Sequence, residues 1–266
     1  MRPLPFRFTK PLNRPIRDWS QQRVWIIGAS SGIGAALANA LLDRGSTVIM
    51  SARRADRLHE IAKGHSCAIP LTLDVANAES WHSALASLRG QIDRIDLVVF
   101  CAAKYHPERS WELIPEETED TLSINLQSVY QGIQSVLPGM LERGEGGIAV
   151  IASVAGYLGL PNATVYGPSK AALINLAELL YSDLHTKNIN VYLINPGFVS
   201  TELTAKNNFF MPALQTPEQA ANAILQGFEE GDFEIHFPKR FTLILKLMQM
   251  LPYRWRFALI RRFVTA

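Results

Sequence analysis

Short apolar runs rich in β-branched residues alternate along this chain with longer segments whose apolar residues recur at helical spacing. Strands of a parallel sheet are buried on both faces, so they appear in a sequence as continuous apolar runs. The pattern therefore predicts an α/β fold, with helices covering both faces of a parallel sheet. The runs typical of strands are Val24–Ile27, Thr47–Met50, Ala68–Thr72, Leu97–Phe100, Ile148–Ile151, Asn190–Ile194 and Phe233–His236.

The longer segments between these runs have the period of helices with one apolar face. Right-handed crossovers between parallel strands then give a doubly wound, Rossmann-type sheet of about seven strands, whose binding crevice lies at the carboxyl ends of the strands. We predict one such domain over residues 23–238, preceded by a basic extension, 1–22, and followed by a basic amphipathic segment, 239–266. The predicted helices are Ile33–Arg44, Ala55–Lys63, Ala78–Arg89, Glu116–Leu141, Val165–Thr186 and Pro217–Glu229.

Composition and charge narrow the class of protein. A chain of 266 residues, 48% of them hydrophobic, can bury one large core. The formal net charge of +2 is unevenly distributed, because both ends are basic and the body between them is acidic. An acidic body would repel nucleic acid, and no nucleic-acid-reading motif is present, so we expect no nucleic-acid partner.

The cysteines and the hydropathy of the sequence indicate the cellular compartment in which we expect the protein. The two cysteines, Cys67 and Cys101, lack metal-ligand spacing, so we expect free thiols in a reducing cytoplasm and no metal site. The amino terminus interrupts its apolar residues with Pro and Arg, unlike a secretion signal. No run reaches the ~20 apolar residues of a membrane-spanning helix. We therefore expect a cytoplasmic protein, either soluble or peripheral at the inner membrane face.

A glycine-rich turn, Gly28-Ala29-Ser30-Ser31-Gly32-Ile33-Gly34, follows the first predicted strand and opens the first predicted helix. In this context the glycines let backbone amides approach a pyrophosphate, so the turn predicts a dinucleotide site. The two serine hydroxyls could bind phosphate or cap the helix, and the roles are compatible. The expected cofactor contacts in this turn are Gly28, Ser30, Ser31, Gly32, Ile33 and Gly34.

The end of the second predicted strand reads Ser51-Ala52-Arg53-Arg54. NAD-binding sheets usually place a carboxylate here, which binds the adenosine ribose and would repel a 2′-phosphate. Arginines can instead pair with that phosphate. The segment favours NADP(H) over NAD(H), with Ser51, Arg53 and Arg54 as contacts, and solvated arginines at a helix end are the alternative.

Asp74 and Val75 follow the third predicted strand. This position is suited to contact the adenine edge of the cofactor, so we expect both residues to line the cofactor site. The Asp74 carboxylate could equally cap the next helix.

Tyr166 and Lys170 are four residues apart, and Ser153 lies upstream of them. On a helix this spacing puts both side chains on one face, so we expect the Lys170 ammonium to lower the pKa of the Tyr166 phenol. A phenol so tuned can exchange a proton with a carbonyl group near neutral pH. Together with the glycine turn, these residues predict a nicotinamide-dependent oxidoreductase.

These motifs resemble those of the short-chain dehydrogenase/reductase family, in its compact single-domain branch, from about Val24 to Pro238. The resemblance implies that Tyr166 exchanges a proton with the substrate oxygen and that Ser153 holds that oxygen. It implies that Lys170 binds the nicotinamide ribose. The family's catalytic asparagine matches Asn125, which would hold a proton-relaying water, although a structural amide is the alternative for this residue.

Two more segments bear on the cofactor site. Pro196-Gly197-Phe198-Val199-Ser200-Thr201 matches the family's proline-glycine turn, which implies contacts from Pro196, Gly197, Val199 and Thr201. At the end of the fourth strand this chain has Phe100-Cys101-Ala102-Ala103 where the family commonly has Asn-Asn-Ala-Gly, so the asparagine and the glycine are lost. We keep Cys101, Ala102 and Ala103 as expected cofactor contacts. The family also implies a homo-oligomer.

The substrate and the chain end leave alternatives open. The segment Thr201–Thr216 should cover the substrate, and its apolar residues suit either a hydrophobic, lipid-like carbonyl or alcohol or packing on a neighbouring subunit. Segment 239–266 interleaves basic with aromatic residues. Such a segment favours an anionic membrane surface, a helix buried against the domain, or a dimer interface.

Two functional hypotheses follow. The first is an NADP(H)-dependent enzyme that interconverts a carbonyl and an alcohol on a small molecule. The second is a catalytically idle NADP(H)-binding protein that works as a sensor or a membrane-associated scaffold. The intact set Asn125, Ser153, Tyr166 and Lys170 favours the enzyme.

Overall fold

The computed structural model describes residues 10–264, which form one seven-stranded sheet in which every neighbouring pair of strands is parallel. The strand order β3-β2-β1-β4-β5-β6-β7 is that of a doubly wound sheet, so the predicted fold class is confirmed. The strands are β1 (Arg23–Ile27), β2 (Thr47–Ala52), β3 (Ala68–Thr72), β4 (Leu97–Phe100), β5 (Gly146–Ile151), β6 (Ile189–Pro196) and β7 (Glu234–Phe237).

Helices cover both faces of the sheet, close to the predicted positions. The exception is the long helix predicted over Glu116–Leu141, which is interrupted by a π-helical turn, Ser123–Gln127. The helices are α1 (Gly32–Leu42), α2 (Ala55–Ala62), α3 (Ala78–Leu88), α4 (Pro115–Leu122), α5 (Ser128–Arg143), α6 (Tyr166–Leu184), α7 (Pro217–Glu230), α8 (Lys239–Gln249) and α9 (Tyr253–Val264).

The core consists of two apolar layers, one on each face of the sheet. Alternate side chains of β1 show the division, because Val24 and Ile26 lie in the layer under α1 and α7, whereas Trp25 and Ile27 lie in the layer under α3, α5 and α6. Each of these four side chains is almost fully buried. This two-sided burial explains why the strands are continuous apolar runs in the sequence.

The neighbouring strands β1 and β4 mark the place where the sheet order reverses. β2 and β3 extend the sheet on one side of this pair, and β5, β6 and β7 extend it on the other. The connections leaving the carboxyl ends of β1 and β4 therefore run to opposite sides and open a crevice between them. The glycine turn follows β1 and Cys101 follows β4, so both predicted segments lie at this crevice.

Both chain ends that the structure describes pack on the domain. Asn13 pins the N-terminal segment to β6, because its side-chain amide donates to Val191 O (2.8 Å) and its carbonyl accepts from Val191 N (3.0 Å). At the other end, Leu245 of α8 packs with Val154 and Leu158. Within residues 10–264, no helix is both long enough and apolar enough to cross a membrane.

Candidate active site

A cleft of about 690 Å³ runs along the carboxyl edge of the sheet. It collects nearly all the predicted cofactor and catalytic residues, although these come from segments far apart in the chain. The predicted residues that line it are Gly28, Ser30, Ser31, Gly32, Ile33, Arg53, Arg54, Asp74, Val75, Cys101, Ala102, Ala103, Ser153, Tyr166, Lys170, Pro196, Gly197, Val199 and Thr201. The predicted residues that do not line it are Gly34, Ser51 and Asn125.

The glycine turn is held tightly against the end of β4. Gly28 has a φ of +97°, and a Cβ placed there would lie 2.5 Å from the backbone nitrogen of Ala102. Gly34 packs α1 onto the turn, since its Cβ would lie 2.1 Å from Gly28 O. Only glycine fits either position. The first amides of α1 therefore face the cleft at a helix N-terminus, an arrangement that binds the phosphates of a dinucleotide.

The segment Cys101-Ala102-Ala103, which differs from the family's usual sequence, fits into the packing between the end of β4 and the glycine turn. Cys101 N donates to Ile27 O (2.8 Å), so the segment continues the register of β4 beside β1. Its three residues line the cleft. Burial raises the pKa of the Cys101 thiol to about 11, so this thiol is neutral at physiological pH.

Arg54 lies across the cleft mouth. Its guanidinium donates to the hydroxyls of Ser30 (3.1 Å) and Ser31 (2.9 Å) and to the carboxylate of Glu202 (3.2 Å). Arg53 is exposed beside it. Two cations thus stand next to the predicted phosphate-binding turn, and no carboxylate of β2 competes for the ribose.

The structure contradicts the prediction that Ser51 contacts the cofactor. It also shows whether Asp74 caps the next helix, the alternative that the sequence left open. The side chain of Ser51 is fully buried and accepts a hydrogen bond from the indole nitrogen of Trp25 (2.8 Å), so it supports the sheet and does not face the cofactor site. Asp74 lines the cleft, and the residue that caps α3 is Asn77, whose side chain accepts from Glu79 N (2.9 Å).

Tyr166 and Lys170 lie on the same face of α6, as predicted. The helix begins at Tyr166, which is why Pro168 is tolerated in its first turn. Lys170 is 2% exposed, and its ammonium donates to Ile151 O (2.8 Å) and lies 5.5 Å from the centroid of the Tyr166 ring. Ser153 follows β5 and also lines the cleft.

The predicted lowering of the Tyr166 pKa by Lys170 is wrong for this structure. Burial raises the pKa of Tyr166 to about 12, and hydrogen bonding to Ser153 only partly opposes this effect. Burial also lowers the pKa of Lys170 to about 8. Desolvation disfavours both charged forms, the Tyr166 phenolate and the Lys170 ammonium.

Asn125 is fully buried one layer behind the cleft wall, where the π-helical turn directs its side chain inward. Its amide holds both backbone groups of Lys104, accepting from the N–H (2.6 Å) and donating to the C=O (2.9 Å). It also donates to Ser169 Oγ (3.2 Å), which in turn donates to Tyr166 O (2.7 Å). Asn125 therefore fixes the cleft wall and the start of α6 together.

The substrate end of the cleft contains residues that sequence reasoning did not single out. The rings of Tyr105 and Tyr166 meet edge to face at 5.1 Å, and the Tyr105 hydroxyl donates to Asn162 O and Asn207 Oδ1, both at 3.0 Å. The Lys206 ammonium donates to Tyr105 O (2.8 Å). These residues lie in loops without motif spacing, so no pattern in the chain could have identified them.

Comparison with known proteins agrees with this arrangement. The family model for the short chain dehydrogenase family matches residues 22–210. The chain belongs to the short-chain dehydrogenase family. A relative described as an uncharacterized oxidoreductase of Myxococcus xanthus (strain DK1622) is 32% identical over 239 residues, which cover 88% of this chain and 94% of that protein.

Solved structures share the fold of this short-chain dehydrogenase. The closed form of a serine dehydrogenase complexed with NADP⁺ is 28% identical, with a TM-score of 0.72 over 77% of this chain and 88% of that one. A 3-ketoacyl-(acyl-carrier-protein) reductase from Brucella melitensis, complexed with NADH, has a TM-score of 0.76 over 83% of this chain and 99% of that one. At 20% identity the reductase shows the fold alone. The protein is an oxidoreductase of a family whose fold binds nicotinamide cofactors and whose members act on small molecules.

Proposed function

We propose that the protein is an NADP(H)-dependent oxidoreductase that interconverts a carbonyl and an alcohol, with Tyr166 as general acid and base. The observation that carries this proposal is the shared cleft. It brings Ser153, Tyr166 and Lys170 to the same edge of the sheet as the glycine turn and the two arginines. A nicotinamide cofactor bound there would supply or accept the hydride.

The protonation state of Tyr166 suits carbonyl reduction. With a pKa of about 12, its phenol is protonated at neutral pH and can donate to a carbonyl oxygen as that oxygen gains negative charge. Ser153 can donate a second hydrogen bond to the same oxygen and stabilise it further. In the reverse direction, Tyr166 would have to accept the alcohol proton, which is favourable only if its pKa falls when ligands bind.

Lys170 and Asn125 have supporting roles in this proposal. Lys170 would bind the nicotinamide ribose from its buried position beside Tyr166, and its ammonium is one of the few charged groups that face this part of the cleft. Asn125 would hold the cleft wall through Lys104 and so keep Tyr166 in position. Their contacts in the fold support these assignments.

The proposed preference for NADP(H) rests on Arg53 and Arg54. Relatives of this fold are complexed with NADP⁺ or with NADH, so the fold alone does not decide between the cofactors. A 2′-phosphate would replace Glu202 as the partner of Arg54 and gain charge-assisted hydrogen bonds.

Substituting both Arg53 and Arg54 with Ala should weaken NADPH binding far more than NADH binding in fluorescence titrations. Arg57→Ala, an exposed arginine on α2 paired with Glu60, is the matched control. Equal losses for the two cofactors would overturn the preference.

We propose an apolar or lipid-like substrate. The segment that covers the cleft carries Phe209, whose ring lies 5.9 Å from that of Phe198, and Phe198 lies 5.8 Å from Phe241 of α8. Phe210 on the same segment is 87% exposed. Phe198 lies between Gly197 and Val199, which line the cleft, and we propose that these three rings give the substrate an apolar wall.

The decisive experiment compares Tyr166→Phe with the parent in NADPH oxidation against a panel of aldehydes, ketones and 3-oxo lipids. Turnover should fall at least roughly 100-fold, because general acid catalysis is removed, whereas NADPH binding should stay nearly unchanged. Tyr181→Phe, on the same helix but near its far end, should behave like the parent. Turnover of the Tyr166→Phe variant within tenfold of the parent would refute the role of Tyr166. A parent that binds NADPH but reduces no member of the panel would favour the idle binding protein.

We also propose that the protein lies in the cytoplasm, the compartment in which NADPH and free thiols are maintained. We further propose that it forms a homo-oligomer. The face formed by α4 and α5 supports an oligomer, because Leu122 and Tyr130 are 38% and 53% exposed beside a shallow apolar groove. Analytical ultracentrifugation should give a mass above that of one chain. Tyr130→Asp should lower this mass, and an unchanged mass would exclude this face as the interface.

A further inference from the structure

The two C-terminal helices carry an outer surface that combines cations with large exposed apolar side chains. On α8 the apolar members recur at one face of the helix, and on α9 they are mainly aromatic. We call this the tail surface, and it consists of Lys239, Arg240, Leu243, Ile244, Leu247, Met250, Tyr253, Arg254, Trp255 and Phe257, all of them exposed.

The position of α8 is fixed by its opposite face, so the tail surface is a stable feature of the fold. Thr242 and Leu245 are buried, and Leu245 packs with Val154, Tyr157 and Leu158. The Lys246 ammonium adds an ion pair with Glu234 of β7. The domain therefore holds the inner face of α8 and leaves the outer face uncovered. In α9, Ile260 is buried.

The exposed apolar side chains of this surface are large. Leu247 is 65% exposed, Met250 82% and Trp255 68%. Scattered single side chains of this kind are ordinary, but a run of seven over residues 243–257 on two successive helices is not. A surface of this kind indicates contact with an apolar phase or an apolar partner.

The charge of the segment decides between those partners. Residues 238–266 contain seven Lys or Arg and no Asp or Glu, whereas the body of the protein is acidic. A second copy docked through the same surface would bring together two surfaces that carry cations and no carboxylate, and like charges across an interface are unfavourable. Anionic lipid headgroups would instead neutralise these cations.

We propose that the tail surface binds the headgroup region of an anionic phospholipid bilayer. The apolar side chains of α8 would enter the boundary between headgroups and acyl chains, and the rings of Tyr253 and Phe257, which stack on each other on one face of α9, would lie at headgroup depth. Lys239, Arg240 and Arg254 would contact lipid phosphates. Helices of 11 and 12 residues lie on a bilayer and do not cross it. Arg256 is placed to organise this face, since its guanidinium stacks 4.8 Å from the centroid of the Tyr253 ring.

The test uses the full chain, because Leu245 of α8 packs into the domain and a truncation would disturb the fold. Co-sedimentation is measured with vesicles of equal parts phosphatidylglycerol and phosphatidylcholine, and with vesicles of phosphatidylcholine alone. The full chain should bind the anionic vesicles, and binding should weaken as sodium chloride is raised. The triple variant Lys239→Gln, Arg240→Gln and Arg254→Gln should lose roughly 100-fold in affinity, about fivefold for each charge removed.

A matched control removes three exposed cations elsewhere, Lys63→Gln, Arg89→Gln and Lys187→Gln, and should bind vesicles like the parent. Equal loss in both triple variants would mean that only net charge matters, and this would overturn the proposal. Failure of the parent to bind anionic vesicles would also overturn it. NADPH titration checks that each variant is folded.

A third variant, Leu243→Ser with Leu247→Ser, separates the lipid from a second copy of the chain. It should bind the anionic vesicles more weakly than the parent and should keep the parent's mass in analytical ultracentrifugation. A lower mass would show that another copy covers the tail surface, and it would exclude the bilayer as its partner.

Discussion

Replacing Lys170 with Met removes a buried amine whose burial should reduce the stability of the folded protein. Burial lowers the pKa of Lys170 from 10.5 to about 8. The unfolded chain therefore keeps its proton to higher pH than the folded protein, and protonation favours unfolding. A difference of one pKa unit corresponds to about 1.4 kcal/mol, so the charge of Lys170 reduces the free energy of unfolding by about 3 kcal/mol well below pH 8. This reduction disappears as the pH rises through the pKa of the unfolded chain.

Urea denaturation followed by tryptophan fluorescence can measure this effect for the parent and for Lys170→Met. The variant also loses the hydrogen bond to Ile151 O, which shifts its stability by an amount independent of pH. The informative quantity is therefore the change with pH. Between about pH 7 and about pH 9.5 the parent should gain roughly 2 kcal/mol relative to the variant. Lys187→Met, at an exposed position, should show no such change. A constant difference between the parent and Lys170→Met would refute the desolvation argument.

Three further predictions concern residues around the cleft. Gly28→Ala should reduce stability by roughly 1–3 kcal/mol and abolish NADPH binding, since its Cβ would collide with the backbone of Ala102; parent-like melting and titration curves would contradict this. Ser51→Ala leaves the Trp25 indole without its acceptor, so it should reduce stability by about 1–3 kcal/mol, with NADPH affinity within roughly twofold of the parent; a large loss of affinity would restore Ser51 as a cofactor contact. Hydrogen bonds hold the pKa of Glu234 below its usual range, although burial opposes this effect. The ionised Glu234 carboxylate therefore stabilises the fold at pH values above the pKa that this group has in the unfolded chain, and this stabilisation is lost on acidification. The stability difference between the parent and Glu234→Gln should therefore shrink towards low pH in denaturation curves, and a difference that grows there would contradict it.

The strands could be predicted because burial on both sheet faces leaves an unbroken apolar run that depends little on tertiary detail. The bounds of β3 and β4 agree with the predicted residues, and the others differ by one or two residues at their ends. The glycine turn was equally predictable, since close backbone contacts at Gly28 and Gly34 leave no room for a larger residue.

Other features depend on tertiary contacts that the order of residues along the chain does not show. The π-helical turn at Asn125 shifts the helix by one residue, which is too little to disturb the apolar period of the predicted helix. Ser51 stands at the expected strand end, but the side that it faces is set by Trp25 on the neighbouring strand. The pKa of Tyr166 was predicted with the wrong sign because spacing shows which groups are near and not how far water is excluded.

Glu234 ties three parts of the protein to one carboxylate. It accepts from the Tyr157 hydroxyl in the segment after Ser153, from the Asn195 amide before the proline-glycine turn (2.9 Å), and from the Lys246 ammonium of α8. These segments cannot move independently while the three bonds persist. A force that lifts α8 from the domain acts on Glu234 through Lys246 and on the loop of Ser153 through the contacts of Leu245 with Val154 and Leu158. The loop of Ser153, the end of β6 and α8 therefore respond to strain as one mechanical unit.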